Sequence, residues 1–205
     1  MKDGPLKDGP LKDVGVVVPI RAFALGKARL ADHLATEERA ALGQQLAASV
    51  VTAAHGLEVL VVSSDDDVRR WAAVRSLAIL DDPGSLDDAA AAGRSWFATA
   101  GASRVVIAHA DLPRATTFRH VIRDLTQPIV TIVPCHRDDG TPVLSLPALG
   151  EFTFRYGPGS FRRHAAEAHR QGLAVRVVRD PDLAFDVDTA EDLAMLTADA
   201  ARTTP

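Results

Sequence analysis

The run Val14-Gly-Val-Val-Val-Pro-Ile20 constrains this chain more than any other segment. It is apolar, largely β-branched and of strand length, and reads as a buried first strand. The loop that follows holds Gly26 and three cations, Arg21, Lys27 and Arg29. In an open α/β sheet, ligands bind where loops leave the carboxyl ends of the strands. A basic, glycine-containing loop at that position points to a site for phosphates. Any one of these cations is equally well explained as part of a solvated connection; three together favour the anion site.

Strand and helix signals alternate along most of the length, the pattern of crossover units on a mostly parallel sheet flanked by helices. After Val14–Ile20, Thr36 reads as the cap of a helix from Glu37 to about Ala54, with Glu37 and Glu38 in its first turn. Glu58–Ser63 is a second strand, Asp66–Val74 a helix, and Leu77–Leu80 a short third strand. Leu86–Thr99 is an alanine-rich helix, Arg104–His109 a buried strand, Thr117–Leu125 a helix and Ile129–Pro134 a strand. Beyond Cys135 the expected strands are Val143–Leu146, Phe152–Phe154, Val175–Val178 and Ala184–Val187. A helix from Ser160 to Gln171 stops at Gly172. The last helix runs from Thr189 to about Ala198, with Asp188 as its cap and Glu191 completing a capping box.

The 205 residues suit a single α/β domain spanning 14–200. Residues 1–13 repeat Lys-Asp-Gly-Pro-Leu, lack the apolar core of a signal peptide and read as a flexible leader; 201–205 read as a frayed tail. A formal net charge of −4 speaks against general nucleic-acid binding, and no apolar run is long enough to span a bilayer. The single cysteine, Cys135, rules out an intrachain disulfide and suits a cytoplasmic setting.

Asp111 stands just past a buried strand, and Asp186 and Asp188 alternate at the end of another, so that the last two share a face. Three carboxylates at strand ends suit one or two Mg²⁺ ions, with substrate phosphates completing the shell. Asp188 serves equally as a helix cap and Asp111 as a turn residue. Gly157-Pro-Gly-Ser160 opens a helix with Arg162 and Arg163 in its first turn, which is either an anion site at a helix N-terminus or a turn that redirects the chain. Ser63-Ser-Asp65 and the polar loop from Asp81 to Asp88, which includes Asp87, either read a nucleobase or cap the helices behind them. The seven histidines show no metal-ligand spacing; His109, close to Asp111, could face the site, though a structural role is favoured. There is no Walker A motif, no dinucleotide-binding glycine fingerprint and no nucleophile elbow.

Taken together, Val18-Pro-Ile-Arg21 with Gly26-Lys-Ala-Arg-Leu30, Ala110-Asp-Leu-Pro113, Phe154-Arg-Tyr-Gly-Pro-Gly-Ser-Phe161 and Phe185-Asp-Val-Asp-Thr-Ala-Glu-Asp-Leu193 resemble the phosphoenolpyruvate/2-phospho-L-lactate guanylyltransferases of coenzyme F420 biosynthesis. The resemblance runs from about Val14 to Leu196. It implies a single-domain, Rossmann-like (GT-A-like) nucleotidyltransferase fold, and a reaction of GTP with a small phosphorylated three-carbon acid. It further implies Mg²⁺ on Asp111, Asp186 and Asp188, and acceptor contacts from Thr141, Gly157 and Ser160. Two positions depart from the family pattern. Pro142 follows Gly140-Thr141 where the family has asparagine, which bears on the acceptor. Asp87 follows Leu86 where the family again has asparagine, which bears on the nucleotide.

On this reading Lys27 and Arg29, with Arg21, hold the triphosphate and the departing pyrophosphate, while Asp111 serves catalysis through the metal. Ser63 and Asp87 belong to the nucleotide side. Likeness to bacterial members implies phosphoenolpyruvate as the acceptor, and a homodimer is among the expectations. Another nucleotidyltransferase of the same fold, acting on molybdenum cofactor or a sugar phosphate, and a catalytically silent nucleotide-binding protein are the competing readings.

Overall fold

The computed structural model describes residues 13–122 and 128–203. Among these, seven strands form one sheet: β1 (Val14–Pro19), β2 (Glu58–Val62), β3 (Ala78–Leu80), β4 (Arg104–Ala108), β5 (Ile129–Val133), β6 (Val143–Pro147) and β7 (Ala174–Val177). The helices are α1 (Thr36–Ala53), α2 (Asp66–Val74), α3 (Leu86–Thr99), α4 (Ser160–Arg170) and α5 (Ala190–Thr203). The strand order is β3-β2-β1-β4-β6-β5-β7. Every pairing is parallel except the two made by β6, which runs antiparallel to both β4 and β5.

The β-branched runs become strands because both of their faces are covered. Val14, Val16 and Val18 of β1 pack with Val50 of α1 and Trp71 of α2, whereas Val17, Leu60 and Ile107 face Ala90 and Phe97 of α3. Burying each such valine or leucine stabilises the fold by about 1.5–3 kcal/mol. Helix α3 approaches β1 very closely. A Cβ at Gly93 would lie 2.4 Å from Val17 Cγ1, and one at Gly15 would lie 2.3 Å from the Phe97 ring. Helix α5 returns along the edge of α1, where Leu46, Phe185 and Val187 form a small cluster with Leu193 and Leu196. No described helix is long and apolar enough to cross a membrane.

Several expectations are corrected. Phe152–Phe154 joins no ladder, because its backbone is stitched to α4: Thr153 N–H donates to Glu167 Oε1 (3.0 Å) and Arg155 N–H to His164 Nε2 (3.0 Å). Ala184–Val187 is not a strand either. Its backbone bonds are isolated ones: Ala184 N–H to the Asp180 carbonyl, His136 N–H to the Ala184 carbonyl and Val187 N–H to the Asp111 carbonyl. In place of a helix over 117–125 there is a single 3₁₀ turn, Arg119–Val121, and residues 123–125 lie outside the described residues. Thr36 is the first residue of α1 rather than its cap. Ala35 takes the cap position, and its N–H donates to Glu38 Oε2 (2.7 Å). Helix α5 continues through Thr203, past the expected start of the tail, while all of the leader but Asp13 falls outside the described residues.

The chain steps from β1 outward to β2 and β3, then returns to β4 on the other side of β1. Strands β1 and β4 therefore flank a topological switch point, and the crevice beyond their carboxyl ends is where such sheets bind ligands.

Candidate active site

Both walls of that crevice come from the two strand exits. Beyond β1 the chain turns at once: Gly26 N–H donates to the Ala22 carbonyl (3.0 Å), and Lys27 takes a left-handed conformation (φ 56°, ψ 38°). A lysine held there is strained by about 1–3 kcal/mol. Two contacts hold it. Leu30, completely buried, donates its N–H to the Lys27 carbonyl (2.8 Å). The ammonium itself is bound at the far end. Lys27 Nζ donates to Asp111 Oδ2 (2.7 Å) and lies 3.3 Å from Asp188 Oδ1.

Asp111 follows β4. The 186–188 segment is brought against it by the Val187 N–H bond to its carbonyl, with Phe185 and Val187 buried behind. Asp186 and Asp188 are thereby brought close to Asp111, and Asp188 reaches Lys27 while Asp186 lies next to His136. Asp188 is free to do this because it is not the cap of α5. Thr189 is, in a reciprocal box with Asp192, whose Oδ2 accepts from Asp188 N–H (3.0 Å), Thr189 N–H (2.8 Å) and Thr189 Oγ1 (2.9 Å). Asp192 is buried and also binds Arg137 (2.9 Å). The expected Asp188/Glu191 box is thus displaced by one residue, because the buried carboxylate collects three donors where exposed Glu191 collects one at 3.5 Å.

Two carboxylates, Asp111 and Asp188, face the ammonium, and Asp186 stands close to both of them. Burial disfavours the Lys27 charge, but Asp111 and Asp188 outweigh it and hold its pKa above the ordinary lysine value. Burial likewise works against ionised Asp111, and Lys27 reverses the balance, leaving its pKa lowered. Asp186 moves the other way: burial and then the charges of Asp111 and Asp188 raise its pKa. Asp111 Oδ1 and Asp186 Oδ1 are buried without a hydrogen bond; His136 Nδ1 lies 3.4 Å from the latter but is not aligned to donate. Among the described residues no group of three or more His, Cys, Asp or Glu side chains is disposed to hold a metal ion unaided. Excess negative charge and unpartnered carboxylate oxygens nevertheless fit a hard divalent cation. Mg²⁺ usually takes one or two carboxylates and draws its remaining ligands from water and substrate phosphates.

The cleft has a volume of about 330 Å³ and is lined by Arg21, Lys27, His109, Asp111 and Asp188, with Leu25 and Leu86 as exposed apolar side chains among its walls. Arg29, one residue into a 3₁₀ turn, points into solvent and is not part of this lining. Ser63 is buried at the end of β2 and accepts from Asp65 N–H (3.2 Å), so it shapes the loop rather than facing the cleft. Asp87 Oδ1 accepts the backbone N–H of Tyr156 (2.6 Å), which ties the start of α3 to the Tyr156-Gly157 loop.

Thr141 and Ser160 meet in a buried hydroxyl pair (3.2 Å) completed by His164 Nδ1 (3.1 Å from Thr141 Oγ1). Because Arg155 N–H donates into Nε2, the proton of this histidine sits on Nδ1 and is given to Thr141. Gly157 has φ 92°, a conformation open to glycine. The start of α4 is already occupied from within the chain, since Asp139 accepts Gly159 N–H on its carboxylate (2.8 Å) and Phe161 N–H on its carbonyl (3.0 Å). His164, Asp139 and Asp192 went unread in the sequence. Only Asp192 left a signal there, the Thr-x-x-Asp spacing from Thr189.

The fold is that of the α/β nucleotidyltransferases. The same architecture occurs in a Methanothermobacter nucleotidyl transferase (TM-score 0.64, 15% identity, 93% of this chain and 99% of that one). It also occurs in a 4-diphosphocytidyl-2C-methyl-D-erythritol synthase from Anaerococcus prevotii (TM-score 0.63, 13% identity, 94% and 97% covered). Within that class the chain belongs to the guanylyl transferase CofC-like family, whose model matches residues 14–203. It is 35% identical to the phosphoenolpyruvate guanylyltransferase of Sphaerobacter thermophilus over 90% of this chain and 92% of that protein. It is 30% identical to the 2-phospho-L-lactate guanylyltransferase of Methanothermobacter thermautotrophicus over 86% and 81%.

Proposed function

We propose that this enzyme condenses GTP with phosphoenolpyruvate, forming a guanosine diphospho-acid and pyrophosphate, as a step of coenzyme F420 biosynthesis in the cytoplasm. The observation that carries the reading is the Lys27–Asp111–Asp188 cluster at the β1/β4 switch point, a cationic and carboxylate pair of walls suited to two polyanions. A phosphate oxygen of the acceptor attacks the α-phosphorus of GTP, the bond from that phosphorus to the bridging oxygen breaks, and pyrophosphate leaves with the electron pair. Little proton transfer is needed, so catalysis rests on alignment and charge neutralisation.

Lys27 is poised to hold triphosphate oxygens and the leaving pyrophosphate, assisted by Arg21 at the rim. Asp111 and Asp188, flanked by Asp186, would hold Mg²⁺, which when bound offsets charge on both reactants. The apolar walls at Leu25 and Leu86 suit a nucleobase. Thr141, Gly157 and Ser160 lie on the segments that would seat the phospho-acid. The test is incubation with each NTP, Mg²⁺ and a mixture of phosphoenolpyruvate, 2-phospho-L-lactate and 3-phosphoglycerate, with pyrophosphate scored and products weighed by mass spectrometry. A guanylylated phosphoenolpyruvate is expected. Pyrophosphate release with another NTP or another acceptor class, or with none, would overturn the reading.

A further inference from the structure

We propose that His109 is a further substrate-contacting residue, whose Nε2–H binds the carboxylate of the phospho-acid acceptor and so sets acceptor choice; this rests on the guanylyl-transfer reading above. His109 opens the loop after β4, two residues before Asp111, and is among the residues that line the same cleft as Lys27 and Asp188. Its backbone is pinned to the acceptor side, where its N–H donates to the Pro142 carbonyl (2.9 Å), next to Thr141. Its ring lies 5.4 Å from that of Tyr156, which in turn packs edge-on against His164 at 4.8 Å, the histidine that holds Thr141. His109 thus bridges the carboxylate cluster and both segments assigned to the acceptor.

Its Nε2 is buried and bonds to nothing in the protein, and the neighbouring Tyr156 hydroxyl is buried and unpartnered as well. Buried polar atoms are nearly always satisfied, and each exception calls for a cause. Packing does not supply one, since a phenyl ring would fill the same place against Tyr156 without stranding a nitrogen. A ligand does. The attacking phosphate has to lie beside Lys27 and Asp111, which leaves the other anionic end of the acid, its carboxylate, on the Tyr156 side. With Asp111, Asp186 and Asp188 close by, that carboxylate needs an added donor, and an imidazole N–H provides one.

The test compares His109→Phe, which keeps the ring and removes its nitrogens, with His109→Gln, which returns an N–H at about the same reach. KM is measured separately for phosphoenolpyruvate and GTP, alongside thermal protection by GTP. His109→Phe is expected to raise the acceptor KM by about ten- to a hundredfold, the scale for one lost hydrogen bond to a charged group, with GTP values nearly unchanged and His109→Gln recovering most of the loss. In wild-type protein the His109 ¹⁵Nε2 resonance should shift when phosphoenolpyruvate is added with a non-hydrolysable GTP analogue. Equal losses for both substrates, an unmoved acceptor KM, or no rescue by glutamine would overturn the proposal. If His109→Phe does not fold, an unmoved ¹⁵N resonance overturns it instead. Should wild-type enzyme release no pyrophosphate from GTP with any phospho-acid, the parent reading fails first. Wild-type turnover with an indifferent His109→Phe sinks the His109 role alone.

Discussion

Lys27 Nζ and Asp111 Oδ2 stand 2.7 Å apart across the gap between the exits of β1 and β4, joining residues 84 positions apart in the chain. The pair is nearly enclosed, with 10% and 20% of the two side chains exposed. An ammonium preorganised in so dry a site acts on developing charge without having to reorganise. Lys27→Ala should therefore lower the rate of pyrophosphate release by roughly 10²–10³, the range for losing one such electrostatic group. A loss of only a few-fold would remove Lys27 from the chemistry.

Lys27 also fills the space between Asp111 and Asp188 where a cation is wanted. Mg²⁺ alone should consequently stabilise the protein little, whereas Mg²⁺ with GTP should raise the melting temperature clearly, because the phosphates both draw off the ammonium and complete the shell. Chelation with EDTA should abolish turnover and most of the GTP protection, and added Mg²⁺ should restore both. Full turnover in EDTA would mean that the carboxylates serve some other purpose.

Asp192 supports the site from behind. Its buried carboxylate, whose pKa is lowered because the Asp188 and Thr189 backbone, the Thr189 hydroxyl and Arg137 together overcome the cost of burial, fixes the backbone of Asp188 itself. Asp192→Ala removes the cap and strands those donors, and should destabilise the protein by about 2 kcal/mol. A denaturant titration would show it. The same variant should need more Mg²⁺ for half-maximal rate, while Glu191→Ala, one residue away and exposed, should change neither.

The strands and the helices over 66–74, 86–99 and 160–170 were legible because a buried β-branched run or a capped amphipathic stretch has few other uses. Lys27, Asp111, Asp186 and Asp188 were legible as candidates because each ends or follows such a run, and the structure brings Lys27 together with Asp111 and Asp188. What escaped depends on partners distant in sequence. Phe152–Phe154 has strand-forming residues, yet Glu167 and His164 take its N–H groups before any strand can. Arg29 shares a loop with Lys27, yet the left-handed turn at Lys27 sends the two side chains to different environments. His109 was read as able to face the site with a structural role favoured; the tertiary fold puts it among the cleft-lining residues with its Nε2 buried and unpartnered.

His164 makes a pH prediction. Burial, then the nearby charges of Arg163 and His109, push its pKa down to about 4 from an ordinary 6.5. The Nδ1–H to Thr141 and the Arg155 N–H into Nε2 fit only the neutral ring. A histidine with a lowered folded pKa binds fewer protons folded than unfolded between these values, so its contribution is complete above about pH 6.5 and is lost as pH falls toward 4. The whole window is worth about 3 kcal/mol, of which about 2 kcal/mol is gone by pH 5. Wild-type stability should accordingly fall between pH 6.5 and 5, and His164→Gln, which accepts from Arg155 but cannot take up a proton, should show a distinctly flatter slope despite a lower melting temperature. Glu167, with its pKa near 2, stays ionised in the folded protein over that interval and adds only a small slope near pH 5, common to both proteins. Parallel curves for the two proteins would show that His164 is protonated at no cost to the fold, and the fixed tautomer at Thr141 would fall with it.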